Sequence, residues 1–334
     1  MQQSALAPAA AHGPAANLAE FRRDILDGFS AAQKQLSPKY LYDRRGSELF
    51  DEICTLPEYY ATRTEVSILR ANAAEIAALV GPSADVVELG AGSSLKARLL
   101  LDCLDRPASY QPVDISATYL LQQAAEVAAA YRSVTVRPVL ADFTRPFTLP
   151  AAIAAQRTLL FFPGSTVGNL SRARAAALLS SLAQRTPGGA LLIGVDVCKD
   201  PAVLSAAYND SRGVTADFNL NLLVRLNREL GADFDIDSFE HDAVYDPLHD
   251  RIEMRLISRR NQSATVAGTA IVFRKGEYIV TEHSHKYAPQ EFVAMAASAG
   301  WTAARCWITD ARFSVHFFRA PGRRSMNHAG RAPN

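Results

Sequence analysis

The chain has 334 residues, a length typical of about two domains of roughly 150 residues each. Lysine and arginine total 35 and aspartate and glutamate total 34, which gives a net charge of +1 at pH 7. This balance argues against a nucleic-acid-binding domain and against a polybasic membrane binder, because both need an excess of positive charge. With 49% apolar and 21% charged residues, the chain is expected to be globular and not disordered as a whole.

Both ends of the chain are predicted to be tails. Residues 1–16 lack the basic start and unbroken apolar run of a signal peptide, so we expect them to be disordered. Residues 321–334 are rich in Gly, Arg and Pro and are expected to be flexible. No run of 18 apolar residues predicts a membrane span. The four cysteines, Cys54, Cys103, Cys198 and Cys306, form no CxxC pair, so we expect no metal site and a cytoplasmic location.

Helices are predicted first along the chain, and strands that alternate with helices follow. The helical spacing of apolar residues predicts helices within 17–36 and over 48–54 and 64–80. Strands are then predicted over 85–89, 109–114, 135–140, 157–162 and 190–195, with helices over 96–103, 117–131 and 172–185. Such alternation is typical of an α/β protein with a doubly wound parallel sheet.

The pattern changes after Asp196. Residues 198–232 are predicted to be helical, and antiparallel strands are predicted around Ala243 and over 251–258, 265–273 and 278–287. A helix over 290–299 and strands over 303–308 and 313–319 follow. The order of elements therefore predicts an α/β domain that is interrupted by a second, mixed domain.

A nucleotide site is predicted where the first strand of the sheet meets a helix. The sequence ELGAG at residues 88–92 supplies glycines for a tight turn, and Asp114 ends the next strand, where a carboxylate can accept hydrogen bonds from a ribose. A dinucleotide motif needs a third glycine, but position 95 is Leu. The motif therefore favours S-adenosylmethionine over NAD, and a tight turn without a ligand remains the alternative.

Asp142 and Phe143 follow the third predicted strand. Open α/β sheets bind ligands at the carboxyl ends of their strands. A carboxylate at position 142 can accept a hydrogen bond from an adenine amino group, and the ring of Phe143 can pack on the base. The alternative is that Asp142 only caps a helix or forms a turn.

Longer segments carry a more specific signal. These lie at residues 40–43, 46–50, 56–60, 62–63, 161–170, 207–209, 213–216, 218–219, 227–230, 232–235, 251–254 and 281–286. Together they resemble the histidine Nα-methyltransferases of ergothioneine biosynthesis, and the resemblance extends over about residues 17–319. It implies a Rossmann-like class I methyltransferase domain (62–197 and 287–320) with an inserted mixed α+β substrate-binding domain (17–61 and 198–286).

The resemblance also implies which residues bind ligands. The positions implied for S-adenosylmethionine are Tyr42, Gly90, Lys96, Asp114, Asp142 and Phe143. The positions implied for the substrate are Asn169 and Tyr208 for its carboxylate with Gly164 and Thr166 nearby, Tyr59, Glu282 and Ser284 around the imidazole, and Met254 in the side-chain pocket. The chain departs from the family pattern at Leu95 and Asn209. No metal and no catalytic group beyond those that align the substrate are implied.

The implied activity is three methyl transfers from S-adenosylmethionine to the α-amino group of L-histidine, which give hercynine. Side chains alternate along a strand, so Glu282 and Ser284 are predicted to share a face and to hold both polar edges of an imidazole. His283 and His285 are then predicted to be solvated on the opposite face. The expected partner is a small zwitterionic substrate, with no nucleic acid or membrane, and a monomer is expected.

Three alternatives remain open at this stage. One is an N-methyltransferase for another aromatic amino acid or amine such as tryptophan, whose indole N–H could also use Glu282. The second is an NAD-dependent oxidoreductase, against which Leu95 argues. The third is a ligand-binding module without catalysis.

Overall fold

The computed structural model describes residues 14–145, 147, 157–197, 200–310 and 312–322. The chain divides into two compact units. The first unit comprises the described residues within 61–198 and from 286 onward, and the second comprises those within 12–60 and 199–285. Which unit binds which ligand stays a prediction.

Helices and strands are numbered along the whole chain. The helices are α1 (Pro14–Ser30), α2 (Arg44–Ile53), α3 (Tyr60–Ala71), α4 (Ala73–Val80), α5 (Leu95–Cys103), α6 (Ala117–Ala130), α7 (Arg172–Arg185), α8 (Pro201–Tyr208), α9 (Val214–Leu230) and α10 (Pro289–Ser298). The strands are β1 (Asp85–Leu89), β2 (Ser109–Asp114), β3 (Thr135–Val136), β4 (Val139–Leu140), β5 (Thr158–Phe162), β6 (Ala190–Asp196), β7 (Phe239–Asp246), β8 (Arg251–Ser258), β9 (Gln262–Val266), β10 (Thr269–Phe273), β11 (Tyr278–His285), β12 (Thr302–Thr309) and β13 (Phe313–Arg319).

The first unit is built on an eight-stranded sheet with the order β12-β13-β6-β5-β1-β2-β3, and β4 also pairs with β2. β1 pairs in parallel with β2 on one side and with β5 on the other, so the strand order reverses at β1. β13 runs antiparallel to β6 and to β12. The predicted Rossmann-like α/β class is confirmed. In such sheets ligands bind at the carboxyl ends of the strands where the order reverses, which here are β1 and β5.

Apolar side chains from the centre of the sheet and two helices form the main core of the first unit. Members of this cluster include Leu160, Phe162, Leu191, Ile193, Leu179, Leu182, Phe292 and Ala296. They come from β5, β6, α7 and α10, and the burial of each large one contributes about 1.5–3 kcal/mol. β1, β5 and β6 are buried along their whole length, as is typical of parallel strands covered on both faces.

The second unit contains a three-stranded antiparallel sheet, β11-β8-β7, and the separate hairpin β9-β10. Helix α9 buries Phe218, Leu222 and Leu226 at helical spacing. Asp43 caps α2 by accepting a hydrogen bond from the Gly46 amide and also accepts from Asn221 of α9 at 2.8 Å. The N-terminal segment and the segment after residue 199 therefore share one core.

Several predicted elements are confirmed at both ends, namely the strands over 85–89, 109–114, 251–258 and 313–319 and the helix over 172–185. The single helix predicted over 64–80 is wrong. Asn72 ends α3 because its side-chain amide donates to the Ile68 carbonyl at 2.8 Å, and α4 begins anew. The strand predicted over 135–140 is divided into β3 and β4 around Pro138, which has no N–H for pairing.

The strand predicted over 265–273 is also wrong, because it contains a turn. Ala267 and Gly268 both have positive φ, at 49° and 85°, and form the two-residue loop between β9 and β10. Helix α1 begins at Pro14, inside the predicted N-terminal tail, whereas residues 1–13 and 323–334 lie outside the described residues, as does Cys198. None of the described helices combines the length and the apolar character that a membrane crossing needs.

Candidate functional site

The loop after β1 has a backbone that suits glycine. Gly90 has a φ of +70°, in the left-handed region. A Cβ atom at this position would lie 3.5 Å from Phe143 Cε1 and 3.6 Å from Thr166 Cγ2. The Gly90 amide donates to the Val113 carbonyl of β2 at 2.9 Å, which fixes the turn. The loop therefore lets the backbone lie close to a ligand at the point where the strand order reverses.

Two carboxylates lie near the carboxyl ends of β1 and β2. Burial raises the pKa of Asp114 to about 6, although its Oδ1 accepts a hydrogen bond from the Ser116 amide at 2.8 Å. Burial also raises the pKa of Glu88 to about 7, and a hydrogen bond from the Tyr110 hydroxyl opposes this rise. The first unit thus carries two acidic groups with raised pKa values beside the glycine loop.

Asp142 forms a turn, which is the alternative that the sequence offered to an adenine contact. Its Oδ1 accepts hydrogen bonds from the amide and the hydroxyl of Thr144, at 3.0 and 2.5 Å, and its Oδ2 lies 3.7 Å from Arg145 Nε. The ring of Phe143 packs edge-on against Phe162, with ring centroids 5.3 Å apart. The turn role is therefore observed, and the adenine contact stays a prediction.

The loop after β5 contains two consecutive residues with positive φ, Gly164 at 79° and Ser165 at 57°. The Ser165 hydroxyl accepts a hydrogen bond from the Asp196 amide at 2.9 Å. A short 3-10 turn over Thr166–Asn169 follows directly. This turn carries Asn169, which was predicted to hold the substrate carboxylate, and Thr166, which was predicted to lie nearby.

A buried carboxylate that the sequence did not reveal connects this loop with α5. Glu65 of α3 accepts hydrogen bonds from the Gly164 amide at 2.9 and 3.1 Å, and its Oε2 lies 2.6 Å from Lys96 Nζ. Glu65 lies in a helix with ordinary amphipathic spacing, so no motif or spacing identifies it. Lys96 and Gly164, which were predicted to bind different ligands, therefore share one partner.

In the second unit, the predicted substrate residues lie together on β11, β8 and α8. Glu282 pairs directly with Met254 in the register of β11 and β8, and all three of Met254, Glu282 and Ser284 are buried. The Tyr208 hydroxyl donates to Ser284 Oγ at 2.7 Å. Tyr208, predicted for the substrate carboxylate, is thus hydrogen-bonded to Ser284, predicted for the imidazole.

Aromatic rings extend this group. The ring of Tyr59 lies 6.3 Å from that of Tyr208 and 6.1 Å from that of Phe50, both edge-on. Burial raises the pKa of Tyr59 well above its usual value, so its phenol stays neutral. Tyr42 packs against Phe218 with centroids 5.4 Å apart. The second unit therefore supplies an aromatic wall next to Tyr208.

The prediction that His283 and His285 are solvated is wrong for His285, which is only 5% exposed. His283 is half-buried, and its Nε2 lies 3.1 Å from Glu253 Oε2. β8 places Glu253 directly opposite His283, between the ion-pair partners Arg251 and Arg255. Among the described residues no group of three or more His, Cys, Asp or Glu side chains could hold a metal ion.

The structure distributes the predicted residues over the two units. The first unit contains Gly90, Lys96, Asp114, Asp142, Phe143, Gly164, Thr166 and Asn169. The second unit contains Tyr42, Tyr59, Tyr208, Met254, Glu282 and Ser284. Asn209, which departs from the family pattern, bonds through its amide to both the N–H and the carbonyl of Ala243, at 3.0 and 2.8 Å.

The sheet order, the glycine loop and the acidic residue that ends β2 are those of a Rossmann-like fold that binds a nucleoside-containing cofactor. Residues 21–320 match the family described as histidine-specific methyltransferase, SAM-dependent, and the chain belongs to this family. This assignment decides between the two cofactors in favour of S-adenosylmethionine.

Named relatives agree with the family. The chain is 44% identical over 297 residues to a histidine N-alpha-methyltransferase of Mycolicibacterium smegmatis, with 87% of this chain and 91% of the relative covered. It is 42% identical, with the same coverage, to a histidine N-alpha-methyltransferase of Mycobacterium tuberculosis. It is 30% identical to ergothioneine biosynthesis protein 1 of Neurospora crassa, with 85% of this chain and 33% of that protein covered.

Proposed function

We propose that this enzyme transfers three methyl groups from S-adenosylmethionine to the α-amino group of L-histidine, forming hercynine for ergothioneine biosynthesis. The observation that carries the proposal is the group formed by buried Ser284, Glu282 and Met254 with half-buried Tyr208 in the second unit. It provides a hydroxyl pair and a carboxylate beside an apolar side chain, which suits a ring with two polar edges. Membership of the histidine-specific family supports the same substrate.

The residues of the first unit fit the cofactor. Gly90 leaves a space beside Phe143 and Thr166, because a Cβ atom there would come into contact with both. Asp114, at the end of β2, can accept hydrogen bonds from the ribose hydroxyls. Lys96 carries the positive charge that suits the cofactor carboxylate, and Phe143 offers a ring face for the adenine. Tyr42, which lies in the second unit, is also proposed to bind the cofactor.

The second unit is proposed to hold the imidazole. Glu282 accepts a hydrogen bond from the ring N–H, and the Ser284 hydroxyl bonds the other ring nitrogen. Met254, the cross-strand neighbour of Glu282, packs against the ring. A phenylalanine side chain would leave Glu282 without its ligand partner, at a cost of about 1–3 kcal/mol, so the pocket favours histidine.

The chain catalyses the reaction mainly by alignment. The bound cofactor supplies a methyl group on a sulfonium centre. The neutral α-amino nitrogen forms a bond to the methyl carbon as the carbon–sulfur bond breaks. After the first and second transfers the nitrogen loses a proton to solvent, whereas the third transfer leaves a quaternary ammonium that has no proton to lose. A free α-amino group has a pKa of about 8, so a usable fraction is neutral near pH 7. Asn169 and Tyr208, with Gly164 and Thr166 nearby, hold the carboxylate, and such alignment can contribute about 7–11 kcal/mol.

Three rounds of transfer require a site that tolerates a growing cation. The ring of Tyr59 packs against Tyr208, and its neutral phenol presents an electron-rich face. Cation–π contacts of this kind contribute about 0.5–2 kcal/mol. We therefore assign Tyr59 to the methylated ammonium as well as to the wall of the pocket.

Mass spectrometry of a reaction with S-adenosylmethionine and L-histidine tests the proposal. The expected product is histidine heavier by three methyl groups, with mono- and dimethyl species as intermediates. Parallel reactions with tryptophan, tyrosine and phenylalanine test the alternative substrates. Methylation of tryptophan in preference to histidine would replace the proposed substrate, and the absence of any methylated amino acid would overturn the proposal. The cytoplasmic location and the monomeric state stay predictions.

A further inference from the structure

Glu65 is the most deeply buried acidic side chain next to the predicted cofactor residues, and the proposed function gives it no role. It is 1% exposed. Its Oε2 lies 2.6 Å from Lys96 Nζ and 2.9 Å from the Gly164 amide nitrogen, and its Oε1 lies 3.1 Å from the same nitrogen. A buried charge of this kind persists only when it is paired and hydrogen-bonded, and Glu65 has both kinds of partner.

A glycine of the first unit also leaves room for the Glu65 carboxylate. Gly194 lies inside β6, where a Cβ atom would be 2.0 Å from Glu65 Oε1 and 2.9 Å from its Cδ. Any larger residue at position 194 would displace the carboxylate. Glu65 is therefore fixed from one side by two donors and from the other side by the backbone of a core strand.

The partners of Glu65 lie beyond the ends of two neighbouring strands. Lys96 is in α5, which follows the glycine loop after β1, and Gly164 is in the turn after β5. The turn itself is left-handed at Gly164 and at Ser165, and Ser165 is held on its other side by the Asp196 amide at 2.9 Å. One carboxylate thus connects the loop predicted to bind the cofactor with the turn predicted to bind the substrate carboxylate.

We propose that Glu65 is a positioning residue that holds Lys96 in place for the cofactor and holds the Gly164–Ser165 turn in place for the substrate carboxylate. Glu65 touches neither ligand and acts through these two partners. The part that concerns the substrate carboxylate rests on the proposed function, whereas the part that concerns the cofactor does not.

Two substitutions separate the two partners. In Glu65→Gln the amide oxygen can still accept from the Gly164 amide, but the amide nitrogen is a donor that faces the donor Lys96. We expect the Kd of S-adenosylhomocysteine to rise about tenfold or more, with the KM of histidine changed less than about threefold. In Glu65→Ala both partners are lost, and we expect both constants to rise.

Calorimetric titration with S-adenosylhomocysteine and steady-state kinetics give these values. The matched control is Glu75→Gln on α4, whose carboxylate bonds Trp307 Nε1 at 2.8 Å and pairs with Arg305, outside the loops of the site. It is expected to leave both constants unchanged. A purely structural role for Glu65 would lower the melting temperature and leave the Kd within about twofold, and this result overturns the proposal.

A second background tests whether Glu65 acts through Lys96. In Lys96→Met, adding Glu65→Gln should cause no further loss of S-adenosylhomocysteine affinity, and a further loss of about tenfold would overturn the proposal. If Glu65→Gln does not fold, Glu65→Asp keeps the charge but shortens the side chain, and we expect weaker binding; wild-type affinity would contradict the proposal. Because these titrations contain no amino acid, their outcome is independent of whether histidine is the substrate.

Discussion

In the first unit the candidate residues follow the ends of parallel strands, whereas in the second unit they lie along the strands of an antiparallel sheet. Gly90 and Gly164 come directly after β1 and near the end of β5, and their positive φ values shape the loops. Glu282 and Ser284 instead share one face of β11, opposite Met254 of β8. The first unit thus carries its candidate residues in and beside loops that are shaped by the backbone, and the second carries several of its own on the face of a strand.

This difference explains what each part can recognise. Loops at strand ends present amides and a few carboxylates, which suit the ribose and carboxylate groups that many cofactors share. A strand face presents a chosen set of side chains, which can match one particular ring. Substitution of Asp114 at the end of β2 should therefore affect mainly the cofactor, and substitutions on the strand face of β11 should affect mainly the amino acid.

The largest effect is expected for Asp114→Asn in the first unit. The loss of charge-assisted hydrogen bonds to the ribose, at about 1.5–3 kcal/mol each, should raise the KM of S-adenosylmethionine about a hundredfold and leave that of histidine nearly unchanged. Because burial raises the pKa of Asp114 to about 6, wild-type affinity for S-adenosylhomocysteine should fall as the pH drops below about 6. Titrations at several pH values measure both effects.

The matched control is Asp105→Asn, since Asp105 is an exposed partner of Arg106 before β2, at the opposite end of that strand. It should retain wild-type constants. Equal losses for both ligands in Asp114→Asn would contradict the assignment of Asp114 to the cofactor alone.

A tenfold effect is expected for Glu282→Ala in the second unit. The histidine KM should rise at least about tenfold, because a buried polar partner of the ring is lost, while the KM of S-adenosylmethionine should change little. The control is Glu240→Ala, an exposed glutamate of β7 in the same sheet. Near wild-type kinetics in Glu282→Ala would remove the basis for histidine specificity.

A smaller effect, about fivefold on the histidine KM, is expected for Tyr208→Phe. The variant removes one hydrogen bond to Ser284, worth about 1 kcal/mol. Tyr245→Phe, which removes the hydroxyl bond to Asp250 near the β7–β8 turn, is the control. In a Ser284→Ala background the effect of Tyr208→Phe should shrink, and full additivity would indicate that the two residues act separately.

The smallest effect is expected for Tyr110→Phe, and it concerns stability. The folded-state pKa of Glu88 is raised to about 7, so its contribution to stability is fully present below about pH 4.5 and is lost as the pH rises to about 7. The Tyr110 hydroxyl lowers this pKa. Its removal should therefore raise, by less than about one pH unit, the pH at which the contribution of Glu88 to stability is lost.

Denaturant unfolding at a series of pH values measures how the free energy of unfolding depends on pH. The reference is Glu88→Gln, in which the contribution should be absent, so the difference between each protein and this reference isolates Glu88. If the contribution of Glu88 is lost at a lower pH in Tyr110→Phe than in the wild type, the hydroxyl does not stabilise the carboxylate.

The sequence predicted most strands of the parallel sheet but not the interruptions within elements, for physical reasons. Alternating strands and helices give strong periodicity, and β1, β2 and β13 were predicted at both ends. The glycine loop and Asp114 were identified because a tight turn needs glycine and a ribose needs an acceptor. Asn72 and Pro138 interrupt their elements through one local hydrogen bond or one missing donor, which periodicity does not register.

The side-chain arrangement was harder to predict. Strand alternation did place Glu282 and Ser284 on one face, but their roles came only from resemblance to a family. The burial of His285 depends on the whole sheet and its surroundings, so a local pattern could not show it. Glu65 was missed because its partners, Lys96 and Gly164, lie far away in sequence, and its space depends on a glycine in another strand.

The left-handed turn at Gly164 and Ser165 has a thermodynamic consequence. Ser165 is not a glycine, so its conformation costs about 1–3 kcal/mol, which neighbouring hydrogen bonds must offset during folding. The ordering entropy of this turn is therefore lost when the chain folds and not when a ligand arrives. A ligand that binds beside this turn meets a backbone whose conformation is already set, and its affinity is not reduced by the need to organise that backbone.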